Sequence, residues 1–251
     1  MKLFLVSTTT LSLLSSLALT GCASDPVAIS KILQDKKAYF NQNFSKQSIS
    51  ESVLKQIPKE DYATLNKDTR FDFETKLTNG DKIVNKKQTM NYSSIGNGLF
   101  QLESEYSSND ITTGFNFLLN YRGLFNLKWV SASTSKGYSD MPYEIKSVDR
   151  WDKLGLNPGE ESIINFKWGN VVQLVNYHDG QNKCTLSKLT KANELYPKLS
   201  GQIREFECQL IKDGAIFSRS KYAYIADWGV AIPLEIVYAD YKIEYKLVDI
   251  H

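Results

Sequence analysis

Histidine, cysteine and methionine are scarce in this 251-residue chain, at two, three and three residues. With only His178 and His251 to draw on, a Ser-His-Asp triad would have to use one of them. His178 sits in NYHDGQN, which reads as a hairpin turn rather than as the setting of a general base. No G-x-S-x-G elbow, no H-E-x-x-H pair and no Gly-rich phosphate loop before a helix is present. The chain is also poor in net charge, at +2 overall. That balance gives no reason to expect a nucleic-acid partner. These absences predict no catalytic residue, no metal site and no cofactor, and so a protein that is not an enzyme.

The N-terminus is informative in its own right. Lys2 is followed by LFLVSTTTLSLLSSLAL, residues 3 to 19, which carries no charge. A short positive start before an apolar run is the pattern of a secretory signal peptide. The competing reading is a membrane-spanning anchor, but the run is short for that and Ser and Thr are interspersed through it. Leu19-Thr20-Gly21-Cys22 then resembles the bacterial lipobox, in which a small residue and Gly or Ala lead to a lipid-accepting cysteine. The resemblance covers the first 22 residues. It implies a signal peptide over 1–21, acylation of Cys22, and a mature chain of 22–251 with a formal charge of +1 once Lys2 is gone. One acyl chain holds a protein to a membrane only marginally, at about 0.8 kcal/mol per buried methylene, whereas two or three hold it durably. Ala23 rather than Asp follows the cysteine. In bacterial lipoproteins that choice implies delivery to the outer membrane, here with the globular part facing the periplasm.

If Cys22 carries lipid, Cys184 and Cys208 remain. An even number in an oxidising compartment predicts a disulfide. Two buried free thiols are the alternative, and a zinc pair is a weaker one because only the two histidines could complete it.

Tyr and Phe total 26, which favours strands. Residues 22–60 read instead as helical: Pro26 suits a first helical position, Ile29, Ile32, Leu33, Phe40 and Phe44 make an imperfect stripe, and Ser48 with Glu51 has capping-box spacing. From 68 to 251 the period changes to two. Phe71, Phe73 and Leu77 alternate before Asn79-Gly80, and Phe100 and Leu102, then Phe125, Leu127 and Trp129, do the same. Ile164, Phe166 and Trp168 lead to Gly169-Asn170, read as a turn with a return strand over 171–177. Four further alternating runs finish the chain. The expectation is a mainly β, single mature domain of α+β type. About ten antiparallel strands form a curved meander or half-barrel, covered by the N-terminal helices. The polar stretch 131–161 is read as a long surface loop, or else a lid over a cavity.

Phe100, Phe125, Trp129, Phe166 and Trp168 share a covered face in this scheme. They are either packed core or the lining of an apolar cavity. Asp149, Asp152, Glu160 and Glu161 lie close together in sequence and raise a carboxylate pair or a calcium site as an outside choice. The mature segment, notably YIADWGVAIPLEIVYADYKIEYKLVDI, resembles in outline the LolA/LolB-like group of curved-sheet envelope proteins. That likeness implies a half-open barrel that holds acyl chains, and transfers no residue. The functional expectation is therefore a non-enzymatic lipoprotein anchored through Cys22, binding a lipid or other apolar ligand. The alternatives are an envelope protein that binds another protein, as an assembly accessory or immunity protein, and last a carboxylate-dependent hydrolase.

Overall fold

The computed structural model describes residues 26–59, 65 and 67–251. The expected signal peptide and Cys22 lie outside the described residues. Twelve strands form one closed antiparallel barrel. They are β1 (Thr69–Asn79), β2 (Lys82–Gly96), β3 (Leu99–Ser108), β4 (Ile111–Tyr121), β5 (Phe125–Ser133) and β6 (Tyr143–Trp151). The second half is β7 (Glu161–Asn170), β8 (His178–Lys191), β9 (Gln202–Lys212), β10 (Ala215–Ile225), β11 (Val230–Val237) and β12 (Lys242–Ile250). Each strand pairs with its neighbours in sequence, and β1 pairs with β12 to close the ring. The mainly β expectation holds. The half-barrel of ten strands does not, and the barrel closes because Phe71 to Thr78 face Ile250 to Lys242 across a full ladder. Closure removes the free edges that an open sheet would leave.

Three strand assignments differ from expectation for local reasons. The stretch 131–161 contains β6, whose alternation is scrambled by register shifts between Ile145 and Ser147 and between Val148 and Arg150. Residues 171–177 are a loop, not a return strand: β7 runs on to Asn170 and β8 starts at His178. β4 turns its apolar face, Phe115, Phe117 and Leu119, outward and Asn116 and Leu118 inward, so FNFLL keeps no strict period of two.

The reason is that helices cover β4 from outside. α1 (Ile29–Gln34), α2 (Lys36–Asn43) and α3 (Glu51–Gln56) lie on the outer wall. Phe117 packs edge-on against Tyr39 and Phe40, with centroids 5.2 and 5.5 Å away. Such pairs contribute about 1 kcal/mol each beyond burial. Lys36 bridges to Glu103 at 2.6 Å, and Gln101 Nε2 donates to the Phe44 carbonyl at 3.3 Å. The cap of α3 is Ser50, which accepts from Val53 N, rather than the expected Ser48, which ends a 3₁₀ turn. So the helices do not cover the inner face; the barrel encloses that face itself. A short helix α4 (Ala192–Leu195) links β8 to β9.

An up-and-down barrel sorts its connections. The turns after odd-numbered strands lie at one end, here the mouth, and those after even-numbered strands lie at the other. The other end is plugged. Arg122, only 2% exposed, donates to Tyr224 Oη at 3.1 Å and Tyr121 Oη at 3.2 Å. Its backbone ties two turns together, with Arg122 N donating to Gly98 O and Ala231 N donating to Arg122 O, both at 2.8 Å. Gly123 completes the plug at φ +76°, pressed so close to the Ala231 carbonyl that a Cβ would collide with it.

Candidate ligand cavity

The interior is unevenly filled. On the β1–β3 side Phe71, Phe73, Met90, Tyr92, Phe100 and Leu102 form a packed cluster. On the β4–β11 side a cavity of about 480 Å³ remains, within the range of sites for small apolar molecules. Its walls follow from the register. Leu118 faces Trp129, Asn116 faces Ser131, Ile145 faces Trp168, and Asn182 faces Leu210, so these side chains share the inner face. Phe166 lies opposite Gly180, and its ring occupies the space that a Cβ at Gly180 would need. Ser220, Tyr222 and Ile236 complete the far wall.

The mouth carries an aromatic cluster. Trp129 and Tyr143 stack at 5.7 Å, and Trp168 lies 5.5 Å from each. Lys212 Nζ sits 4.8 Å over the Trp168 ring, a cation–π contact. The His178 ring packs at 4.8 Å on the same Trp168 and is held from the other side by Asp213, at 2.9 Å from Nδ1 to Oδ2. Asp213 also accepts from Asp179 N, and the His178 hydrogen bond leads in holding its carboxyl below the usual range. His178 is therefore the first residue of β8, not a turn residue as expected.

Below the cavity lies a second device. Cys184 and Cys208 are direct partners across β8 and β9 and form a disulfide, with Cα atoms 4.0 Å apart. It is buried among Leu124, Leu186, Phe206 and Tyr224 between the cavity and the plug. The sequence expectation of this bridge holds, and the free-thiol and zinc alternatives fall.

Four of the five aromatics singled out from sequence, Phe125, Trp129, Phe166 and Trp168, line the cavity. Phe100 does not. It is fully buried in the packed cluster, with its ring 6.0 Å from Tyr92. Sequence reasoning missed Tyr143, because β6 was hidden by its bulges. It also missed the polar share of the wall: Asn116, Asn126, Asn182, Ser218 and Ser220. Asn116 Nδ2 donates to Tyr106 Oη at 2.5 Å, and Asn120 Nδ2 donates to Asn126 Oδ1 at 2.6 Å. Among the described residues, the buried Oδ1 atoms of Asn120 and Asn170 have no hydrogen-bond partner, and their cross-strand partners Asn126 and Tyr143 line the cavity. A lining of this kind suits an amphiphile better than a bare hydrocarbon. Burial raises the phenol pKa of Tyr222 and Tyr238 on the wall, and of Tyr106 beside it, so all three stay neutral donors at ordinary pH.

No family model matches this chain. No curated protein matches it either. Among solved structures it is similar to a β-barrel-like protein of the domain of unknown function DUF1849 from Brucella abortus. That match has 9% identity and a TM-score of 0.43, over 75% of this chain and 98% of that one. A second is a DUF1329 family protein from Desulfovibrio piger, at 7% identity and a TM-score of 0.33, over 73% of this chain and 85% of that one. Likeness at this level says nothing of ligand or activity.

The acidic residues are not brought together. Asp152 accepts from Arg150 and Ile163 N, Glu160 caps the turn at Leu156 and Asn157, and Glu161 pairs with Lys183 at 2.8 Å. Asp149 lies on a shallow outer groove. Among the described residues no group of three or more His, Cys, Asp or Glu is placed to hold a metal. A larger open groove of about 800 Å³ runs between the β1–β2 and β3–β4 hairpins and β12. Six of its seven charged side chains pair with one another, Lys87 with Asp110, Lys246 with Glu74 and Lys76 with Glu244, leaving little to recognise a charged ligand.

Proposed function

We propose that this protein is a non-enzymatic envelope lipoprotein whose barrel holds a lipid or similar amphiphile in the β4–β11 cavity. Lipid on Cys22 anchors it to the outer membrane, facing the periplasm. The observation that carries the reading is the one-sided filling of the barrel. One half of the interior is packed, while the other is a lined cavity with apolar walls at Leu118, Phe166 and Leu210 and a mouth of Trp129, Tyr143 and Trp168. Each methylene sheltered there is worth about 0.8 kcal/mol, against an association cost of several kcal/mol. A tail of ten or so methylenes is thus enough to bind.

Native mass spectrometry of the protein, purified gently from cells, tests the ligand. Retained mass of a lipid, displaced by a fluorescent acyl probe, supports the reading. A barrel that never carries lipid and takes up no probe refutes it. The mass of the N-terminal peptide tests the anchor separately, as an acylated Cys22 or an unmodified one.

A further inference from the structure

The mouth end has an unusual surface. Thirteen large apolar side chains are exposed among the described residues, and nine of them stand at that end, on five of its six hairpins. Leu174 is 82% exposed, Ile111 69% and Val175 67%, and Ile83, Ile216 and Phe217 join them. The β7–β8 tip is a fixed turn. Tyr177 Oη donates to Leu174 O at 2.8 Å, and Gln173 Nε2 donates to the carbonyls of Val175 and Asn176 at 3.0 and 2.6 Å. Its backbone acceptors are therefore satisfied within the loop while its apolar side chains face outward.

Two further observations say what covers this end. The first is where the chain enters. Val27 and Ala28 are stitched to the β5–β6 loop at the mouth, with Val27 N donating to Ser139 Oγ at 3.0 Å and Ile29 N donating to Gly137 O at 2.9 Å. Cys22 is five residues before Val27. A chain of that length spans at most about 18 Å, so a lipid on Cys22 enters its bilayer beside the mouth, not beside the plug. The second is charge. Several ionic groups of this end are paired among themselves: Lys87 with Asp110, Lys136 with Asp140, Lys167 with Asp179, and Lys242 with Glu235 and Glu244. Paired charges offer a protein partner little to select and an apolar surface little to repel.

We infer that the mouth lies against the bilayer, with the apolar hairpin tips entering its interface so that the cavity opens directly onto lipid. The orientation rests on the reading of Cys22 as the lipid site; docking by the tips does not. A ligand then passes between bilayer and cavity without crossing water, and the aromatic cluster stands at the depth where Trp and Tyr are favoured.

The test uses the chain from residue 22 with Cys22→Ser, which carries no lipid and retains every described contact. Co-sedimentation with vesicles of phosphatidylethanolamine and phosphatidylglycerol is expected to pull it down, with little change on raising salt. Leu174→Asp combined with Val175→Asp is expected to weaken binding about tenfold or more. Leu189→Asp, an exposed position near the plugged end, is expected to leave it unchanged. Absence of vesicle binding overturns the inference, as does equal loss in the Leu189 variant. So does a dimer in solution that the Leu174/Val175 substitutions dissociate, because the tips would then be a contact between copies. Acyl-probe uptake in solution, without vesicles, reports on the cavity alone, so failure of docking and failure of the proposed ligand are told apart.

Discussion

Removing the disulfide perturbs this barrel by an amount that the structure fixes. Cys184 and Cys208 are 24 residues apart and sit opposite each other in the β8–β9 ladder. The bridge therefore constrains a loop of that size in the unfolded chain. Chain entropy gives about 3.5 kcal/mol for it. The native ladder does not depend on the bridge: it continues from Gly180–Lys212 on the mouth side to Lys191–Gln202 on the other. So the barrel should form without it, and lose stability rather than structure. For a chain of this length each kcal/mol moves Tm by about 2–4 °C, which places the fall at about 7–14 °C. Thermal unfolding followed by circular dichroism, on the oxidised protein, the reduced protein and the Cys184→Ala/Cys208→Ala variant, measures it. The two perturbed forms should agree, with native spectra before melting. A fall under about 3 °C in both would show that β8 and β9 are already close in the unfolded ensemble, and the loop-entropy reasoning would fail. A native spectrum lost altogether would show that the bridge holds native geometry that the ladder cannot.

Gly123→Ala should cost about 4 kcal/mol or prevent folding, because its Cβ meets the Ala231 carbonyl at positive φ; Gly137→Ala, at nearly the same φ but with open space around it, should cost about 1 kcal/mol, and similar costs in urea unfolding would contradict the plug. Ser220→Phe, which fills the cavity from β10, should abolish acyl-probe uptake with Tm nearly unchanged, while Arg219→Phe on the outer face should leave uptake intact; equal uptake in both would place the ligand elsewhere. Burial raises the phenol pKa of Tyr92, Tyr106, Tyr222, Tyr238, Tyr241 and Tyr245. Their neutral forms therefore contribute stability that is whole below about pH 10 and is lost as pH rises through the raised values. Tyrosinate absorbance should rise in two stages, exposed phenols first and these six, with Tyr39 whose burial raises its pKa to about 12, together with unfolding, and a single smooth titration of all fourteen would refute it.

Most of the strands were legible because alternation is local. Phe71, Phe73 and Leu77 in β1, or Trp129 and Leu127 in β5, announce an inner and an outer face without reference to anything distant. The disulfide was legible by elimination. What escaped the sequence depends on partners far away. The pairing of Phe71 with Ile250 turns an open sheet into a ring, and no window of residues contains both. Phe100 and Phe166 have the same strand pattern, yet one is packed under Tyr92 and the other borders open space. Only the uneven filling of the two halves separates them. The polar wall was illegible for a related reason: Asn116 and Asn182 are polar side chains that only closure of the ring turns onto the inner face.

The pairing of the first strand with the last has a consequence in the order of synthesis. β1 leaves the ribosome long before β12 exists, and must wait with one edge unsatisfied until that strand arrives. The two strands lock together by backbone, with Arg70 and His251 exchanging hydrogen bonds at 3.0 and 2.9 Å. A chain cut short by even its closing strand would expose two raw edges and an open interior, a form prone to stick to its own kind. β1 and β12 thus act as a check on each other: only a chain that contains both can hide its edges.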